Sequence, residues 1–116
     1  MLIQRKEMTR GEIENCHDGK GKLTCVTLFA EYGREDPGLK FAHEDVLEPG
    51  ASIGAHRHEG DDELYIILDG HGTARIDGEE VPVERGDALL TRSGHSHALV
   101  NSYDGDMRLL VVCANR

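Results

Sequence analysis

The chain has 116 residues, 38% of them hydrophobic and 14 of them glycine, enough for one domain with its own core and a composition favouring short strands and tight turns over a helical bundle. Lys and Arg number 13 against 22 Asp and Glu, a formal charge of −9, which argues against nucleic acid or an anionic membrane as partner. No apolar run approaches the roughly 18 residues of a membrane span; Met1 to Glu7 lacks the apolar core of a secretory leader, and the odd, scattered Cys16, Cys25 and Cys113 read as reduced thiols of a cytoplasmic protein.

Taken in order, Leu2-Ile3 with the charged residues after it is expected to form a short edge strand. Thr9 and Glu12 stand at capping-box spacing and predict a single helical turn. His17 to Gly21 reads as a loop, Leu23 to Ala30 as a β-branched and aromatic strand, Glu31 to Leu39 as a loop, and Lys40 to Leu47 as the next strand. Glu59 to Asp62 predicts a turn before the strand Glu63 to Leu68, and Asp69-Gly70 a turn before Gly72 to Ile76. Asp77-Gly78 is a strong two-residue hairpin signal, and Pro82 assigns the following strand, Glu80 to Glu84, to an edge or a bulge. Ala88 to Thr91, Ser96 to Val100 and Met107 to Cys113 complete a set of about ten short strands, the pattern of a sandwich or barrel.

The chemistry concentrates between Gly50 and Gly70. Alternate residues of a strand share a face, so His56 and His58 can reach one point in space. Glu63, beyond the polar turn, is expected to face back toward them across a hairpin. Imidazole with carboxylate is the donor set of zinc, iron, manganese, nickel or copper rather than calcium. The alternative is a metal-free barrel with these groups buried and hydrogen-bonded to one another, at a cost that makes the ion the better reading. A second stretch, Gly86 to Asn101, brings in His95 and His97.

With both stretches in view the chain resembles the cupin superfamily. Gly50, His56, His58, Glu63 and Gly70 match the family's first motif, here residues 50–70, and Gly86, Gly94, His97 and Asn101 match the second, residues 86–101. Arg92 stands where the family has proline, a departure that bears on the turn before Gly94 and not on His97. The resemblance implies an all-β fold, a single-domain jelly-roll β-barrel over residues 1–116, with one divalent transition metal (Fe, Mn, Zn or Ni) held in one mouth by His56, His58, Glu63 and His97. Three neutral imidazoles and one carboxylate on such an ion leave a net charge of about +1, suited to a small polar or anionic ligand. Small members of the family are commonly homodimers, and an N-terminal strand without an evident partner points the same way.

Other residues divide between a role and a plainer reading. Tyr65 shares parity with Glu63 and is a candidate catalytic phenol or a packing tyrosine; His95 shares parity with His97 and is a candidate acid/base or a rim residue. His43 and Arg92 are candidates for substrate binding, Arg92 being more readily a solvated loop residue. His17 and His71 are expected at the surface, Asn101 as a residue bonding the backbone, and the cysteines as structural thiols. The expected function is an enzyme acting on a small polar or anionic metabolite, as a sugar-acid isomerase, a lyase or an oxygenase of the dioxygenase kind. The alternative is a cupin that binds or senses a small molecule without turnover.

Overall fold

The computed structural model describes residues 1–116. Ten strands make up the chain: β1 (Thr9–Glu14), β2 (Lys22–Ala30), β3 (Gly38–Leu47), β4 (Ser52–Arg57), β5 (Asp61–Asp69), β6 (His71–Ile76), β7 (Glu79–Glu84), β8 (Ala88–Thr91), β9 (Ser96–Val100) and β10 (Met107–Asn115). They form a six-stranded sheet in the order β1-β2-β3-β10-β5-β8 and a four-stranded sheet in the order β4-β9-β6-β7. The two face each other as a jelly-roll β-barrel whose inner faces make the core. No helix is long and apolar enough to cross a membrane.

Along β3, β5 and β9 the inward-facing residues change from polar to apolar in the chain direction. On β5 they run Asp61, Glu63, Tyr65, Ile67; on β3, His43, Asp45, Leu47; on β9, His97 and Leu99. Leu47, Leu99, Met107 and Leu109 are fully buried at one end, while the titratable groups gather at the other. The barrel therefore has a dry end that supplies hydrophobic stability and a polar end with a cavity.

Two local devices position that cavity. The register of β4 against β9 shifts between Ile53 and His56, a β-bulge that turns both residues inward although they are three apart. The bulge contains Gly54, where a side chain would collide with the carbonyl oxygen of His17, so the Asn15–Gly21 segment docks directly on β4. Asp77 and Gly78, with φ of 48° and 87°, close the β6–β7 hairpin between the paired Ile76 and Glu79, as the type I′ signal required. Pro82 lies on β7, an edge strand, where its missing N–H costs no ladder bond.

Three expectations are corrected. Residues 1–4 form no strand and are followed by a 3-10 turn at Arg5–Glu7. Thr9 to Glu12 is not a helical turn but part of β1, paired from Thr9↔Thr27 to Glu14↔Lys22. All six β1 residues are exposed, so no hydrophobic alternation marked it, and backbone pairing overrode the capping box. β1 thus has a partner in β2, which removes the unpaired N-terminal strand as a reason for self-association. Finally, β4 and β5 do not form a hairpin; they belong to opposite sheets, and Glu63 meets the histidines across the barrel.

Candidate metal centre

His56 comes from β4 beyond the bulge, and His58 from the turn just after it. His97 sits on β9 directly opposite His56, and Glu63 enters from β5 on the facing sheet. The Nε2 atoms of His56 and His97 are 2.9 Å apart and those of His58 and His97 3.1 Å. Glu63 Oε1 lies 3.2 Å from His58 Nε2, 3.2 Å from His97 Nε2 and 3.9 Å from His56 Nε2. One donor atom from each of the four residues falls within 4.8 Å of the others.

The opposite ring nitrogens explain why this cluster suits a cation. His56 Nδ1 donates to Gly54 O at 2.8 Å, and His58 Nδ1 donates to Asp61 Oδ1 at 2.8 Å. A carbonyl or carboxylate oxygen only accepts, so both Nδ1 atoms carry protons and both Nε2 atoms present lone pairs in the neutral rings. His97 Nδ1 is 2.7 Å from Thr91 Oγ1, which permits the same tautomer. Three lone pairs and a carboxylate aimed at one another are repulsive unless a positive charge lies between them.

In the metal-free chain protons supply part of that charge. The hydrogen bond that protonated His58 donates to Glu63 raises the pKa of His58 against the effect of burial, with Asp61 adding to it. Burial would raise Glu63, but its interactions with the three imidazoles prevail and hold it well below the usual carboxylate range. Burial lowers His97 and outweighs the pull of the same carboxylate. The donor set, N₃O with outer partners on the rings, fits a divalent transition metal, which would displace the shared proton.

A cavity of about 500 Å³ adjoins the cluster, lined among others by His17, His43, Glu63 and Tyr65. Tyr65 faces the same side as Glu63, and its ring stacks on His97 with centroids 4.5 Å apart; burial, then Glu63, pushes its phenol pKa up. His43 also faces this cavity. His95 does not: its side chain is 58% exposed and pairs with Asp77 at 2.7 Å. Arg92 is exposed too, 3.6 Å from Asp62, and shares with His95 a separate surface recess. Arg92 to His95 form the turn between β8 and β9, and the strand begins only at Ser96, so the parity linking His95 to His97 never applied.

Sequence reasoning missed three contributors. His17, expected at the surface, lies in a left-handed conformation with φ of 50° and stacks on His56 at 3.7 Å, nearly parallel at 11°. No pattern marks a non-glycine residue for that region of backbone space. Asp61 was read as turn, yet it stands two before Glu63 and shares its face. Thr91, 2% exposed, carried no signal beyond strand propensity. Asn101 is fully buried and bonds backbone as expected: Nδ2 donates to the carbonyls of Leu47, Glu48 and Gly105 at 3.0–3.1 Å, and Oδ1 accepts from Tyr103 N at 2.9 Å. All three cysteines are free thiols.

Comparison with known proteins bears on the same residues. The family model for the cupin domain matches residues 43–113. An oxalate-binding protein of Thermotoga maritima is 36% identical over 112 residues, covering 97% of this chain and 92% of that protein. A crystal structure described as a predicted oxalate decarboxylase, also from Thermotoga maritima, superposes with a TM-score of 0.89 at 33% identity, covering all of both chains. KdgF from Halomonas sp. gives a TM-score of 0.77 at 17% identity over 100% of this chain and 94% of that one, a likeness of fold alone.

Proposed function

The chain belongs to the cupin domain family, and from that premise we propose that it binds one divalent transition metal through His56, His58, Glu63 and His97 and takes a small carboxylate-bearing metabolite in the adjoining cavity. The convergence of three Nε2 atoms on Glu63, with the tautomers of His56 and His58 set by Gly54 and Asp61 and that of His97 compatible with Thr91, is the observation that carries the reading. Such an ion acts as a Lewis acid or lowers the pKa of bound water, and four protein donors leave it open positions. Iron, manganese, zinc and nickel all suit the donor set.

Turnover in an isomerase, lyase or dioxygenase reaction would need a group that moves protons beside the reacting atoms. Tyr65, which lines the cavity and stacks on His97, fills that part, and His43 lines the same cavity as a binding group; His95 and Arg92 are turned to solvent. A second reading, binding without turnover, draws on the oxalate-binding protein of Thermotoga maritima. A single domain over residues 1–116, a homodimer and a cytoplasmic setting complete the proposal, the last two resting on family habit and the three free thiols.

The test is metal content by plasma mass spectrometry on untagged protein purified without nickel resin, beside His58→Ala and Glu63→Ala. Near-stoichiometric metal in the wild type and its loss in both variants is expected; a folded wild type that refuses added metal overturns the assignment. Oxalate added to loaded protein and followed by NMR then separates consumption from binding.

A further inference from the structure

The polar end of the barrel has a second pole. His43 projects from β3 into the cavity, and its Nδ1 donates to Asp45 Oδ1 at 2.8 Å. Asp45 is 3% exposed, and Phe41 lies parallel to the imidazole at 5.0 Å. Cys25 stands opposite Asp45 on β2. These groups form a cluster separate from the four residues of the metal centre.

The register places the two poles apart. Val111 of β10 pairs with His43 on one side and with Tyr65 on the other, so the backbones of His43 and Tyr65 are two strand spacings apart, roughly 10 Å. Tyr65 stacks on His97, which puts the metal centre at one side of the cavity and His43 at the other. Burial alone would strip the proton from His43, but the Asp45 hydrogen bond and the Cys25 side chain outweigh it and push the pKa up to about 10. The ring is then an imidazolium at neutral pH. The ring lines the cavity beside its carboxylate and thiol partners, and a charged imidazole in that position favours an anionic acceptor.

The extent of the cavity points the same way. Its lining runs from His56, His58 and Glu63 to His43, so a ligand confined to the metal would leave His43 unengaged. We infer that His43 is a second binding pole, taking the far carboxylate of an elongated diacid of the succinate, tartrate or sugar-diacid kind whose near end sits at the metal centre. The inference rests on the proposed metal-dependent carboxylate site and narrows its ligand to a two-ended acid.

Calorimetric titration of metal-loaded wild type and His43→Gln with oxalate, tartrate, succinate and its monoamide succinamate tests it. Succinate is expected to bind wild type roughly tenfold more tightly than succinamate, which keeps one carboxylate for the metal and lacks the second, the scale of one charged hydrogen bond. In His43→Gln that advantage disappears while oxalate affinity and metal content hold. The succinate–succinamate comparison in wild type stands by itself should the variant fold poorly. Equal affinity for succinate and succinamate in wild type, or all four ligands weakened equally by the substitution, overturns the inference and leaves the metal-dependent site intact. Two metals per wild-type chain and one in His43→Gln also overturns it, by making Cys25, His43 and Asp45 a metal site. No acid binding to loaded wild type defeats both readings together.

Discussion

Two histidine–aspartate pairs of nearly the same length sit in opposite settings. His58 and Asp61 meet at 2.8 Å at the polar end of the barrel, and His95 and Asp77 meet at 2.7 Å in the solvent-facing β8–β9 region. The side chain of His58 is 10% exposed and that of His95 58%. In the first pair the carboxylate fixes a tautomer and aims the other nitrogen at three more donors. In the second, Asp77 is lowered first by the backbone N–H of Ser96 and only then by His95, so the carboxylate serves the turn and the imidazole ends in water. The hydrogen bond alone does not make a site; what the far nitrogen faces decides.

Breaking the inner cluster should have the largest effect. Glu63→Ala removes the one anion among three imidazoles, and metal affinity should fall by more than about 100-fold, beyond the usual loss from an outer partner; chelator competition measures it. Asp61→Asn leaves every donor in place but loosens the tautomer of His58, and a fall of about 10–100-fold is expected in the same assay. An equal fall from Asp77→Asn would erase the contrast between the two pairs.

The third prediction concerns the His43–Asp45 pair and pH. The pKa of His43 is raised from 6.5 to about 10, so the stability it contributes is complete below pH 6.5 and drains away as the pH climbs toward 10. Urea midpoints measured from pH 6.5 to 9 should decline in wild type more steeply than in His43→Gln. The smallest effect belongs to the surface: His95→Ala should leave metal content and melting temperature at wild-type values, because exposed ion pairs contribute little. A His95→Ala protein that lost metal would place the β8–β9 turn inside the site after all.

Much of the centre was legible because its ligands are chemically unusual and sit at fixed spacing. His56, His58, Glu63 and His97 announce themselves by residue type, and Tyr65 by its parity with Glu63. What escaped the sequence depended on pairing and backbone conformation. That Glu63 arrives from the opposite sheet follows from β5 choosing β8 and β10 as neighbours, a long-range outcome no local pattern encodes. His17 reaches His56 only because Asn15, His17 and Asp18 all adopt positive φ. β1 carries no apolar face and was invisible to periodicity. His95 shows the converse error, alternation assumed one residue before the strand begins.

The order of strands in the larger sheet also bears on how the chain reaches this fold. β10, the last strand, is the link between the β1-β2-β3 and β5-β8 portions, and its pairing with β3 joins Asn115 to Gly38 and Met107 to Leu47. Neither portion can complete the sheet until distant segments meet, so folding must surmount a loop-closure barrier before most native contacts repay it. The cluster residues share this dependence, since His97 joins His56 only when β9 pairs with β4. Until then the chain holds an incomplete set of ligands and exposed sheet edges together. A metal captured after closure would tie positions 56 and 97 and act as a late clasp, slowing unfolding more than it speeds folding.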